Sequence, residues 1–187
     1  MKLLSQLFIN LNNLKNMREF ILKASKAFTK PFNLNDLPGA GRIDLVCRCV
    51  TSAIWLSHAL RKDVIFHAVL EGPDKPPKLI SFDSNSLKEV SPDERNVASH
   101  INSALKIGYN LELNEEVEVS PGIKIAKKSF EQLVKEKSKT TELFYLHPKG
   151  EDINKIKFSK DVCFIVGDHV GLPKATEKLL RKLNYVE

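Results

Sequence analysis

The segment at residues 162–173, VCFIVGDHVGLP, limits the possible folds more than any other stretch. Its first five residues are almost wholly apolar, with no polar alternation. A strand of that kind has to be covered on both faces, as in a parallel sheet flanked by helices. It ends abruptly in Gly167-x-x-x-Gly171, and a helix is expected just beyond Pro173. In such sheets ligands bind outside the carboxyl ends of strands, and glycine there lets a ligand approach the backbone closely. The segment Tyr145-Leu146-His147-Pro148-Lys149-Gly150 follows the apolar run ELFYL in the same way, so the two loops can wall one pocket. Two ordinary turns after strands are the plainer alternative. Asp168 beside His169 invites a catalytic pair, but neighbouring loop side chains often diverge and no suitably spaced nucleophile accompanies them. A hydrolase is therefore not inferred.

The remaining chain alternates strands with helices, which predicts an α/β fold with a largely parallel sheet in its second half. Residues 18–24 predict a first strand, Phe20 and Leu22 alternating against charged Glu19 and Lys23. FNLNDLPGAGR is a loop. A helix is expected over 43–62, with Leu45, Cys49, Ala53, Leu56 and Leu60 on its apolar face. VIFHAVLEG and KLISF, joined by the stiff PDKPP, predict a hairpin. Ser91-Pro92-Asp93-Glu94 predicts a helix start, with Ser91 as cap and Glu94 completing a capping box. That helix should run to about residue 107. VEVSPGI is a short strand and turn; helices with basic character follow over 127–137 and 174–183.

The 187 residues suit one domain, and 42% hydrophobic content is enough for a core. Charged residues at 28% argue against disorder and against a membrane span. A net charge of +6 suggests a polyanionic partner, with a lysine-rich solvated surface as the alternative. Cys47, Cys49 and Cys163 are odd in number and lie in apolar surroundings, which fits a reducing cytoplasm. With no second pair at ligand spacing, zinc is not expected. Residues 1–16 are interrupted by Ser5, Gln6 and Asn10 and lack a cleavage site, so they read as an extension rather than a signal peptide.

Gly39-Ala40-Gly41-Arg42 lacks both a preceding strand and a third glycine, so it is not a dinucleotide fingerprint. Arg42, Asp44 and Arg48 nevertheless cluster at the head of the following helix. Asp44 and Arg48 lie four apart on one face, a spacing that also suits a simple helix-start ion pair.

The phrases MREFILKA, LPGAGRIDLVCRCV, VIFHAVLEGPDKPPKLISF, VSPDERN, SPGI, YLHPKGED and VGDHVGLP, taken in order, cover nearly everything from Met17 onward. In them the chain resembles the archaeal tRNA pseudouridine-54 N1-methyltransferases, a branch of the SPOUT class. The resemblance implies an α/β sheet flanked by helices with a C-terminal trefoil knot, a homodimer, S-adenosylmethionine as cofactor and tRNA as substrate. It implies no metal. The family's cofactor-binding positions fall on Leu146 and Gly167. Asp44 is expected to contact the target base and Arg42 to orient it or a phosphate. Arg48, Arg95, Lys127 and Lys128 are expected phosphate contacts. The family continues with a further strand and loop where this chain ends, at residues 185–187. The SPOUT domain over 17–187 is thus expected to be shortened and its knot incomplete. Two functions stay open on this reading: a methyltransferase, or a remnant that binds tRNA without cofactor.

Overall fold

The structure, a computed structural model, describes residues 17–183 and 185, apart from residues 58, 148, 157, 159 and 160. The extension over 1–16 and the end of the chain at residues 184, 186 and 187, on which the expectation about the knot bears, lie outside the described residues.

The chain runs β1 (Arg18–Ala24), α1 (Ile43–Ile54), β2 (Trp55–Leu56), β3 (Ala59–Leu60), β4 (Val64–Leu70), β5 (Lys78–Asp83), α2 (Glu94–Ile107), β6 (Glu116–Ser120), β7 (Ile123–Ala126), α3 (Phe130–Lys137), β8 (Glu142–Tyr145), β9 (Val162–Gly167) and α4 (Lys174–Lys182). Seven strands form one sheet in the order β6-β7-β5-β4-β1-β9-β8. β1 lies inside it, between β4 and β9 and parallel to both, and β8 extends the parallel part. The β4–β5 hairpin forms as expected, and β5, β7 and β6 continue antiparallel. The sheet is therefore mixed: parallel on the β9 side, antiparallel on the other.

Side chains on alternate positions feed two cores. Phe20, Phe66, Phe82 and Phe164 point to the face covered by α1 and α2. Ile21, Val69, Cys163 and Ile165 point to the opposite face, under Phe130 and Leu133 of α3 and Leu180 of α4. Phe20 and Phe164 stack across β1 and β9 with ring centroids 5.4 Å apart. Each such fully buried aromatic side chain contributes roughly 1.5–3 kcal/mol. VCFIV is covered on both faces, as its composition requires.

Four local expectations need correction. The whole of β1 is buried, including Glu19 and Lys23. They are not a solvent face, because α3 lies over them and supplies partners: Lys137 for Glu19 and Glu131 for Lys23. The helix expected over 43–62 stops at Ile54. Trp55 turns extended and buries its ring, Ser57 takes a positive φ of 56°, and β3 folds back on β2. Leu56 and Leu60 are therefore exposed, while Val46, Cys47 and Val50 complete the apolar face. Asp93, not Ser91, caps α2, accepting from the Asn96 N–H at 2.8 Å; the Ser91 hydroxyl in turn donates to Asp93. α3 begins at Phe130 behind its cap Ser129, so Lys127 and Lys128 precede the helix.

Candidate functional site

β1 is the point at which the chain's connections diverge. Through α1 on one face they lead to β4; β9 lies on its other side, and the helix after it packs on the opposite face. A crevice is expected outside the carboxyl ends of two strands so placed. A cleft of about 300 Å³ lies there, lined by Leu22 and Ala24 of β1, Gly167, Asp168 and His169 after β9, and the head of α1. Leu45, Val46 and Cys49 give α1's wall an apolar surface, and Arg42 and Arg48 add two cations.

Loop geometry fixes that cationic end. Gly41 has φ 76°, and a side-chain carbon there would lie 1.8 Å from the Lys26 carbonyl oxygen, so only glycine fits. Arg42 follows with φ 70° as the N-cap residue, without a side-chain cap bond. A non-glycine residue in this region costs about 1–3 kcal/mol, and such strain concentrates at functional sites. The conformation turns its guanidinium onto Asp44, with Nε donating to Oδ1 at 2.9 Å and Nη2 to Oδ2 at 3.1 Å. Arg48 Nη2 also donates to Oδ2, and Arg48 Nε reaches Glu94 Oε1 at 3.2 Å. Asp44 is 6% exposed. Burial pushes its carboxyl up, but the hydrogen bonds and charges of Arg42 and Arg48 outweigh it and hold the group below the usual carboxylate range. A carboxylate offers about four lone-pair positions. Three are taken, and the free one is on Oδ1.

The opposite wall is the loop after β9. Asp168 N–H donates to the Lys23 carbonyl at 3.2 Å. Its carboxylate accepts from the Ser25 N–H at 2.7 Å and the Val170 N–H at 2.8 Å. The loop is thereby fastened to the end of β1. Gly167 packs against Gly171, where an added side-chain carbon would meet backbone at 2.8 Å. Gly171, at φ 80°, has nothing within 4 Å of such a carbon.

The expected site residues are only partly brought together. Arg42, Arg48 and Gly167 line the cleft, and Asp44 is joined to both arginines without itself being among the lining residues. Leu146 lies beside it at the end of β8, its N–H donating to the Ile165 carbonyl at 3.0 Å and its side chain packed on the core. Arg95 donates to the Leu34 carbonyl and to Asn35 Oδ1 at 2.9 Å, bracing a loop. Register carries Gly167 across Lys23, Val69 and Leu79 to Ala126, so Lys127 and Lys128 lie at the same end of the sheet. They are four strand spacings from Gly167, about 19 Å, and three from β1. Lys128 is paired with Glu136 at 2.7 Å. Two features escaped sequence reasoning: the Asp168 clamp, and Glu94 as a partner of Arg48. The sequence offers Asp168 only as a neighbour of His169. The cysteines are buried, and burial pushes the thiols of Cys47 and Cys49 up to about 12 and about 11. They are packing groups.

Residues 17–187 match a family model described as "Putative SAM-dependent RNA methyltransferase". The chain is 47% identical over 168 residues to the tRNA (pseudouridine(54)-N(1))-methyltransferase of Thermococcus kodakarensis, covering 88% of this chain and 85% of that one. It is 44% identical over 173 residues to the enzyme of the same name from Methanocaldococcus jannaschii, covering 89% and 84%. The chain belongs to the archaeal tRNA (pseudouridine(54)-N(1))-methyltransferase family. Its fold is shared with Archaeoglobus fulgidus Nep1, solved bound to S-adenosylhomocysteine, at a TM-score of 0.51 and 13% identity over 90% of this chain and 85% of that one. Among the described residues, no helix is long and apolar enough to cross a membrane.

The family's cofactor is S-adenosylmethionine, and the cleft fits its chemistry. The volume lies at the lower end of the range for small-molecule sites. Leu22, Leu45 and Val46 offer an apolar wall for a purine. Gly167 itself lines the cleft, and its lack of a side chain lets the loop fold tightly on Gly171 beside it.

Proposed function

We propose that this chain is an S-adenosylmethionine-dependent tRNA methyltransferase that methylates N1 of pseudouridine 54. The observation that carries this reading is the cleft itself, which sets Arg42 and Arg48, both bonded to Asp44, opposite the Gly167 loop at the carboxyl ends of β1 and β9. Leu146 and Gly167 would hold the cofactor's adenosine half through backbone groups. When bound, the cofactor supplies an electrophilic methyl group on a sulfonium sulfur. The α1 wall would receive the target base, turned out of its stack in the folded T-loop.

Pseudouridine carries a free N1–H; as N1 takes the methyl group and the sulfonium becomes a neutral thioether, that proton is released to solvent water. Asp44 is poorly suited to take it, because two guanidinium groups hold the carboxylate ionised. Its free Oδ1 position can accept a hydrogen bond from N1–H and so orient the ring. Loss of the proton spreads negative charge onto the ring oxygens, and Arg42, held in place by Asp44, stabilises that charge as it develops. Asp44 then binds and positions, and Arg42 is the electrostatic catalyst. A homodimer and a cytoplasmic setting belong to the same reading.

The test is transfer of labelled methyl from S-adenosylmethionine to T-loop hairpins with pseudouridine or uridine at position 54. Label in the pseudouridine hairpin alone supports the reading. Equal label in both, or none in either, refutes it.

A further inference from the structure

Three loops at the cleft end of the sheet are fastened into one platform. Residues 25–30 follow β1, residues 36–42 lead into α1, and residues 71–77 join β4 to β5. Phe28 N–H donates to the Ala40 carbonyl at 3.1 Å, which ties the first loop to the one bearing Arg42. On its other side Gly72 N–H donates to the Ala27 carbonyl at 2.9 Å, and Thr29 N–H to the Pro73 carbonyl at 2.6 Å. Lys75 N–H donates to Thr29 Oγ1 at 2.9 Å.

This platform exposes Lys26, Lys30 and Lys75. Among the described residues none of the three has a carboxylate within ion-pair distance. Neighbouring cations differ: Lys23 is held by Glu71 and Glu131, Arg48 by Asp44 and Glu94, Lys128 by Glu136. Of the platform's acids, Glu71 is paired with Lys23, while Asp36 accepts the Gly39 N–H and Asp74 the Tyr109 hydroxyl, contacts that bring no opposite charge. The ammonium of Lys30 lies 5.7 Å from the Phe28 ring centroid. That of Lys75 lies 4.2 Å from the Tyr109 ring centroid and donates to Asn110 Oδ1 at 2.9 Å. Ring faces and an amide steady these cations without neutralising them. A lone solvated lysine needs no explanation. Three cations without a carboxylate partner, on mutually locked loops that start two residues from Ala24 in the cleft wall, outnumber Asp36 and Asp74 on the same loops and leave a fixed positive edge.

We propose that Lys26, Lys30 and Lys75 are the phosphate track that leads the RNA backbone away from a base held in the cleft. The proposal rests on the RNA methyltransferase reading and adds where the RNA lies. From β9 to β4 the sheet advances two strand spacings, about 10 Å. The track therefore begins at the cleft and passes over loops 25–30 and 71–77. It does not depend on Lys128, whose charge Glu136 already meets.

Salt titration of RNA binding tests it, using the whole chain and a T-loop hairpin with pseudouridine at position 54. The triple variant Lys26→Ala, Lys30→Ala, Lys75→Ala is compared with a control of equal charge loss on the opposite side of the sheet, Lys135→Ala, Lys139→Ala, Lys178→Ala. The track variant should lower the slope of log Kobs against log salt by about 2–3 and weaken binding at 0.1 M salt by roughly 10-fold or more. Affinity for S-adenosylhomocysteine should not change, which also reports that the variant is folded. The control should leave the slope near that of the unsubstituted chain. The corresponding Lys→Gln triple repeats the measurement with longer side chains should the alanine triple fold poorly. An unchanged slope in the track variant, or an equal fall in the control, overturns the track while leaving the RNA reading standing. Failure of the unsubstituted chain to bind RNA overturns the reading itself and the track with it.

Discussion

The Asp168 carboxylate accepts the Ser25 backbone N–H at 2.7 Å, joining the loop after β9 to the end of β1 across 143 residues of sequence. Asp168→Ala leaves the N–H groups of Ser25 and Val170 without these acceptors. The exposed Val170 N–H can turn to water, but the part-buried Ser25 N–H cannot do so freely, and its loss costs about 1 kcal/mol or more. The variant should melt lower and bind S-adenosylhomocysteine about 10-fold more weakly by calorimetry, because loop order would have to be restored on binding. Unaltered affinity would show that the clamp does not shape the pocket.

Asp44→Asn keeps the shape of the side chain and removes the charge that organises Arg42 and Arg48. Methyl transfer should fall about 100-fold in kcat while RNA affinity changes by less than roughly threefold. Because Asp44 is held below the usual carboxylate range, its contribution to stability is complete above an unfolded value of about 3.9 and is lost as pH falls through its lower folded value. The stability difference between the parent and Asp44→Asn should therefore be flat from pH 5 to 8 and shrink only below about 4. Equal losses in turnover and affinity would remove Asp44 from the site.

His67 is buried between Ser81, at 2.8 Å from Nδ1, and Glu19, at 2.8 Å from Nε2, with Lys137 on the same carboxylate at 2.5 Å. Burial lowers its basicity more than Glu19 restores it, and Lys137 and Lys128 add to the lowering. The folded state thus keeps the ring neutral while the unfolded chain takes up a proton below about pH 6.5. Stability conferred by the neutral ring is present above that value and declines as pH falls, by at most about 1.4 kcal/mol per pH unit. In urea melts the parent should lose more stability than His67→Gln between pH 7.5 and 5.5. Parallel pH profiles would place a proton on the buried ring.

Two glycines with the same backbone sign should respond differently to alanine. At Gly41 the added carbon collides with the Lys26 carbonyl, whereas at Gly171 it meets open space. Gly41→Ala should cost more than about 2 kcal/mol and Gly171→Ala about 1 kcal/mol. Equal costs in thermal melts would mean that the two loops readjust alike.

The parts of this fold legible in the sequence are those whose cause is local. VCFIV announces its own double burial, PDKPP its hairpin, and the spacing of Asp44 and Arg48 their shared helical face. What escaped depends on partners distant in sequence. Glu19 and Lys23 read as a solvent-facing alternation because their partners, His67 and Glu131, lie 48 and 108 residues away and arrive only with the sheet and α3. The helix over 43–62 looked continuous because Leu56 and Leu60 keep its spacing; the burial of Trp55 decides otherwise. The cleft needed both walls, and nothing in either phrase tells that the loop after β9 is held by the backbone of Ser25.

The central claim is that N1 of pseudouridine 54 receives the methyl group. It is tested most directly by incubating the chain with S-adenosylmethionine and a tRNA transcript carrying pseudouridine at position 54, then separating the digested nucleosides by mass spectrometry. The account predicts N1-methylpseudouridine at position 54 and no methylation of a transcript with uridine there. A methyl group on any other atom or position, or an unmodified pseudouridine 54, would contradict it.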